Sequence, residues 1–351
     1  MCFFIAGTLK AASDIDLYVE REIVKQDASQ QEQDDAIKRA FSRLIVRVTG
    51  IEQSLENAEI QESLENGSRY LATFRFEASD TFFTNVLGEQ VPTKAMTMEF
   101  DKTSVDSLLV QNRLPVWGSK RPDVLIWLAD RFEGQDHILS DTETTSFSES
   151  LEVEAHRRGI PYMLPIMDLT DSLSLSFSEV YGLFSQDIEE ASLRYEPEAV
   201  LAGRISKSGN EYKADWLMLF KDERIRLPTV IGTEEFIISK GIDLVAQRLS
   251  AQYALVLDPL LFGNISVQVL EIKSAVEFAE LEVYLQSINL ITKATVSVFE
   301  DDNITFEVEI SGDRAQLVDV LSLDKQLIPV VEESLEAQLD NTLVFQWNSN
   351  N

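Results

Sequence analysis

Leu114-Pro115-Val116-Trp117-Gly118-Ser119-Lys120-Arg121-Pro122-Asp123-Val124-Leu125-Ile126-Trp127-Leu128-Ala129-Asp130 is the stretch whose reading decides the fold. Val124 to Ala129 is a continuous apolar run of strand length, which suits a strand buried on both faces. The segment before it holds Pro115, Gly118 and Pro122, residues that neither a helix interior nor a central strand tolerates. A punctuated connector therefore leads into the central strand of a new unit. The residues before the connector form one unit, and those after it begin another.

Upstream, Ile15, Leu17, Val19 and Ile23 alternate with Asp16, Tyr18, Glu20 and Glu22, the pattern of a half-buried strand with the acids outward. Ala36, Ile37, Ala40, Phe41, Leu44, Ile45 and Val48 then fall on one helical face, with Gly50 as its stop. Tyr70–Phe76 and Ala95–Phe100 read as strands joined by a loop, and Ser104–Gln111 as a short helix. Residues 14–116 are thus expected to form a small α+β domain.

Downstream, strand and helix signals alternate. Strands are expected at Val124–Ala129, Tyr162–Met167 and Ala199–Ile205, and helices at Thr145–Arg158, Phe177–Tyr195 and Glu234–Tyr253. Tyr212–Phe220 and a short segment near Ile225 look antiparallel. Residues 117–258 therefore read as an α/β domain on a mainly parallel sheet. Residues 259–331 adopt the order β-α-β-β-α-β of a ferredoxin-like unit, supported by the regular series Ile304, Phe306, Val308, Ile310. Residues 332–351 form an acidic and polar tail in which Leu343–Trp347 adds at most an edge strand.

The 351 residues carry a formal net charge of −30, with 44% apolar and 26% charged side chains. That balance is globular, and such a field repels nucleic-acid phosphates and anionic headgroups, so neither is an expected partner. Residues 1–13 resemble the latter part of a secretory signal peptide, an apolar run closing in small residues but lacking a basic start. Cys2 is the single cysteine, so a processed chain has none. No later apolar run reaches the length of a membrane span.

Chemistry-bearing patterns are sparse. His137 and His156 are the two histidines, and no Gly-x-Ser-x-Gly elbow presents a serine to either. Both read as structural, His137 in a polar loop near Asp136 and Asp141, His156 on a helix surface. Metal spacings are missing, and Asp301-Asp302-Asn303 reads as a hairpin turn. Gly203 to Gly209, which includes Arg204, lacks the endings of a phosphate loop and reads as a hairpin. Asp168 and Asp171 come after a strand at the carboxyl edge, where open α/β sheets bind ligands, although Asp168 also suits a helix cap. Trp117, beside Arg121, reads as an interdomain wedge or a contact residue. No cofactor is expected.

Arg47-Val48-Thr49-Gly50, Leu114–Gly118 with Arg121-Pro122, Leu125–Ala129, Arg158-Gly159-Ile160-Pro161 through Pro165 and Asp168, and Ala199–Arg204 together resemble a family of uncharacterised proteobacterial envelope proteins, domain-of-unknown-function family 2066. The leader is shorter than in that family, and Ala78–Lys94 is longer than its usual hairpin. That family has no assigned activity, so the resemblance implies no catalytic residue. The first two units are more distantly similar to modules of periplasmic assembly factors, namely the flagellar-collar assembly protein, curli-secretion lipoproteins and activators of penicillin-binding proteins. The expectation is an exported, soluble periplasmic adaptor without enzymatic activity that binds an envelope protein. Trp117, Arg121, Asp168 and Arg204 are its candidate interaction or interdomain contacts. The alternatives are a carboxylate-dependent hydrolase of cell-wall glycans and a cytoplasmic regulator.

Overall fold

A computed structural model describes residues 16–132, 134–257, 263–323, 326–330 and 342–348. The leader expected over residues 1–13 lies outside them. The described chain is mixed α/β, built on three separate sheets.

The first sheet has the order β1 (Val19–Lys25), β3 (Gln90–Phe100), β2 (Leu71–Thr84), all antiparallel. Between β1 and β2 run α1 (Gln30–Thr49) and α2 (Ala58–Glu65), and α3 (Lys102–Gln111) comes after β3. A Ser29–Glu32 capping box starts α1, and Gly50 in the left-handed region ends it. The expected apolar stripe of α1 is buried against Met96, Met98 and Phe100 of β3. Two features depart from expectation. Glu20 is buried, because arginines of α1 draw it inward. The loop expected after Phe76 is instead a long hairpin, β2 running to Thr84 and β3 beginning at Gln90, with an irregularity between Ala78 and Phe82. Its outer part has no helix beneath it, so the sequence shows no burial period there.

The middle sheet has the order β5 (Gln135–Ile138), β4 (Val124–Phe132), β7 (Ala199–Ser208), β8 (Glu211–Phe220), β9 (Glu223–Gly232), with the two-residue β6 (Tyr162–Met163) also on β4. Every residue of β4 from Val124 to Asp130 is buried, as the apolar run requires. One face carries α4 (Ser146–Arg158) and α8 (Glu234–Tyr253), and the other carries α5 (Leu169–Ser174), α6 (Phe177–Gly182) and α7 (Ser185–Ser192). The sheet is mixed rather than mainly parallel. Only β6, β4 and β7 run parallel, because two-residue turns at Gly209-Asn210 and Lys221-Asp222 force β7, β8 and β9 to be antiparallel neighbours. The strand expected over Tyr162–Met167 stops at Met163, since Pro165 and the left-handed Met167 (φ 55°) cannot continue it. The helix expected over 177–195 is broken by Leu183 (φ 53°).

The third sheet has the order β11 (Ile291–Glu300), β12 (Asn303–Ile310), β10 (Gly263–Leu270), β14 (Thr342–Trp347), β13 (Leu327–Pro329), with α9 (Ala275–Ser287) and α10 (Arg314–Leu321). The insertion of β12 between β10 and β11 is the split unit the sequence implies. The fourth place is not. β14 lies parallel beside β10, and β13 is displaced to the edge. A three-residue strand containing Pro329 suits an edge, whereas Leu343, Phe345 and Trp347 all point into the core. The expected acidic tail therefore contains an internal strand. Phe345→Ala is expected to cost about 3–5 kcal/mol in urea unfolding. A loss within about 0.5 kcal/mol, as at surface positions, would return β14 to the periphery.

Candidate functional site

Among the described residues, polar or exposed apolar groups concentrate at a buried arginine junction, at the carboxyl edge of the middle sheet, around His137 and at the tip of the β2–β3 hairpin.

The connector residues Trp117 and Arg121 are both buried, Arg121 with 5% of its surface exposed. Arg121 lies among three backbone segments and spends its donors on carbonyls. Nη2 donates to Arg47 O (2.7 Å) and Trp117 O (3.0 Å), Nη1 to Arg158 O and Gly159 O (both 2.8 Å), and Nε to Gly118 O (3.0 Å). Its guanidinium also lies 4.0 Å from the ring centroid of Trp117. Arg47 O and Arg158 O belong to the C-terminal turns of α1 and α4, where the helix dipole is negative. Burial weighs against the charge of Arg121, and neighbouring Arg47 and Arg158 push its pKa further down. The negative helix ends and the filled hydrogen-bond set hold the cation in place.

Arg47 extends the junction. Its Nη1 donates to Leu17 O (3.1 Å) and Val19 O (3.2 Å), its Nε to Arg157 O (3.3 Å), and its Nη2 pairs with the buried Glu20. Arg43 also donates to Glu20, from Nε and Nη2. Arg158 donates to Gly50 O (2.8 Å) and lies 3.6 Å from Asp243 and 3.7 Å from Glu52. The two helix-ending glycines make this approach possible. A Cβ on Gly50 would lie 2.1 Å from Ser250 Cβ, and one on Gly159 would lie 2.6 Å from Arg121 Nη1. Trp117 N donates to Val48 O, and Val116 and Leu255 exchange backbone hydrogen bonds, so the connector is tied to α1 and to the end of α8. Trp117 and Arg121 thus act as an internal wedge and staple. Their short motifs answer the demands of helix ends and guanidinium reach.

At the carboxyl edge, Asp168 caps α5 by accepting from Asp171 N (2.9 Å) and pairs with Arg194 (2.8 Å). These donors hold its carboxyl at about 2, below the ordinary value. Asp171 is fully buried and accepts from Arg194 (2.7 Å), Met167 N (2.9 Å) and Tyr195 Oη (2.5 Å). The expected Asp168–Asp171 pair does come together, but around Arg194. Arg204 lies apart from it, opposite Asp215 on β8, with Nε to Oδ2 at 2.8 Å.

His137 lies on β5 rather than in a loop, and its partners are not Asp136 or Asp141. Nδ1 is 2.8 Å from Asp130 Oδ2, and Nε2 is 2.7 Å from Glu143 Oε2. Burial opposes protonation of His137, but the two carboxylates outweigh it and raise the pKa. Burial raises Asp130 as well, against the pull of His137. With both ring nitrogens engaged, the imidazolium works as a clamp between the end of β4 and the segment before α4. Only a weak signal for this arrangement exists in the sequence, since Asp130 and Glu143 are set 13 residues apart. Among the described residues no group of three or more His, Cys, Asp or Glu is placed to hold a metal ion, and no helix is long and apolar enough to cross a membrane.

The hairpin tip is a surface that no sequence pattern singles out. Asn85 organises the turn, its Oδ1 accepting from Leu87 N and Glu89 N, both at 2.9 Å. The turn lifts Val86 and Leu87 into solvent, Leu87 being 80% exposed, with Phe82 and Phe83 exposed just before it. Gly88 takes φ +81° with nothing within 4 Å of an added Cβ.

Residues 11–118 match the family model of a domain of unknown function, DUF8605. No curated protein and no solved structure matches the chain. The family found is therefore not family 2066, and the resemblance to that family is corrected. The match ends at Gly118, in the connector, so the motifs from Arg121 to Arg204 that carried the resemblance lie outside it. Those motifs are short, and helix-ending glycines beside arginines are explained by the local geometry of the junction alone.

Substitutions at the junction and at the clamp have distinct expected effects. Arg121→Ala is expected to lose on the order of 3–5 kcal/mol of stability in urea unfolding, as when a buried charge network loses one partner. Arg121→Lys should recover only part of it, because an ammonium with three donors cannot serve five carbonyls. For His137 the raised pKa fixes the sign. Its contribution is complete below the ordinary imidazole value of about 6.5 and is lost as pH climbs through the raised value. The unfolding midpoint of His137→Gln should therefore lack the decline that the natural chain shows over that window.

Proposed function

We propose that this chain is a non-enzymatic docking protein of the cell envelope, exported to the periplasm, where it serves as an adaptor or assembly factor. Three units, residues 14–116, 117–258 and 259–331, form its frame, the last being a variant of the ferredoxin-like arrangement. The β2–β3 hairpin tip is its anchor for an envelope protein.

The observation that carries this reading is the exposure of Val86 and Leu87 on one preorganised turn, with Phe82 and Phe83 exposed on the strand just before it. Large apolar side chains held outward at a turn contribute nothing to their own core. Burying them in a partner's pocket would recover roughly 1.5–3 kcal/mol for each fully covered side chain. Aromatic anchors of this kind dominate protein interfaces, and a turn already fixed by Asn85 loses little freedom on binding. The charge of −30 favours a protein partner over a phosphate-rich surface.

The test uses the full chain as bait in a periplasmic extract beside the Val86→Ser, Leu87→Ser double variant. The natural chain should retain a specific envelope protein that the variant loses, while both unfold at the same temperature. Recovery of the same protein by both baits, or of none by either, would dismiss the tip as an anchor. Sequencing the native amino terminus checks the export reading independently.

A further inference from the structure

The regular part of β2, before the irregularity at Ala78–Phe82, presents a second and different feature. β2 is an edge strand, with β3 on one side and no strand on the other among the described residues. An open edge carries a row of unpaired backbone donors and acceptors and is a template for another strand. Here that edge is bordered by half-exposed core-type residues, with Lys94 Nζ 4.1 Å from the ring centroid of Phe76. Phe74 and Phe76 lie opposite Met98 and Met96 in register, hence on the face that α1 covers elsewhere. Yet they are 48% and 41% exposed and contact each other edge-on at 5.8 Å. The apolar layer of the first sheet therefore continues one strand past its helix.

We propose that the occupant of this edge is a second copy of the chain, with β2 pairing antiparallel to its partner's β2 about a two-fold axis through Phe76. The register is set by charge. Arg75 and Glu77 flank Phe76, sharing the opposite face with Arg75 Nε 2.8 Å from Glu77 Oε1. Residues opposite one another across an antiparallel pair share a face, so a two-fold perpendicular to the sheet must pass through a residue. An axis at Arg75 sets Arg75 against itself, and one at Glu77 sets Glu77 against itself. Like charges directly opposite are unfavourable.

An axis at Phe76 places Arg75 against Glu77 of the second copy, twice by symmetry. It also sets Phe74 against Ala78, large against small. Axes further along lose both ion pairs. The two sheets then join into six strands, and the four phenylalanines close into one apolar strip between the two α1 helices. This pairing goes beyond the anchor reading, since it uses residues 74–78 and leaves Phe82–Leu87 free at the outer ends.

The test is sedimentation of the full chain at about 0.15 M salt, with three variants. Arg75 and Glu77 are exposed, so changing them should leave the fold of each copy, read by circular dichroism, unaltered. The natural chain is expected to be a dimer. Arg75→Glu and Glu77→Arg should each weaken it at least roughly tenfold by creating two like-charge oppositions. The double exchange R75E/E77R should restore it. Phe76→Cys in a Cys2→Ser background should cross-link on oxidation, while Ala72→Cys in the same background should not. A chain that stays monomeric, including one that takes an extended peptide on this edge, would overturn the proposal. So would a dimer indifferent to the single charge changes. The Val86→Ser, Leu87→Ser variant should still dimerise, so failure of the anchor and failure of the pairing are told apart.

Discussion

A single guanidinium holds three backbone segments together. Arg121 donates to the last turn of α1, to the last turn of α4 and to its own connector, and its other partner is the ring of Trp117. A salt bridge between two surfaces fixes one distance, whereas five hydrogen bonds to carbonyls of three segments fix relative orientation as well. Only a planar fork with five donors can do this, which is why lysine is no substitute. The cost is a desolvated cation with Arg47 and Arg158 nearby, and negative helix ends rather than carboxylates compensate it at Arg121. The first sheet and the middle sheet meet here, and the Val116–Leu255 bridge brings the chain entering the third sheet to the same place.

This arrangement bears on the distribution of charge. The chain has 30 basic residues against 60 acidic ones, and Arg47, Arg121 and Arg158 are spent in the interior. Glu20, Asp130 and Asp171 are buried as well, so among the described residues burial removes equal numbers of both signs and the solvent-facing surface keeps the acidic excess of the chain. On such a body a cluster of exposed aliphatic and aromatic side chains at one turn is chemically distinct. Under the docking role proposed above, an acidic surface disfavours contact of that turn with other anionic surfaces and favours an apolar pocket on a partner.

Much of the local structure was legible. β4 was readable from an unbroken apolar run, α1 from its apolar stripe and from Gly50, and the β7–β8 and β11–β12 hairpins from their turns. The carboxyl edge was readable as far as the cap of Asp168. Trp117 and Arg121 were recognisable as a connector pair, but their partners were not. Arg121 reaches a carbonyl 74 residues earlier in the chain and another 38 residues later, and no periodicity reports such distances. The same holds for Glu20, which looked like an outward acid on an alternating strand, and for His137, whose carboxylate partners are not its sequence neighbours.

The amino-acid sequence by itself determined where α1, β4 and the β7–β8 and β11–β12 turns lie, because these are set by backbone sterics, capping and hydrophobic period within a few residues. Tertiary structure alone decided which charges go inside, which aromatics stay outside, and that β14 rather than β13 lies beside β10. Burial is set by what the rest of the chain brings alongside, so a side chain's fate depends on neighbours that local pattern does not encode.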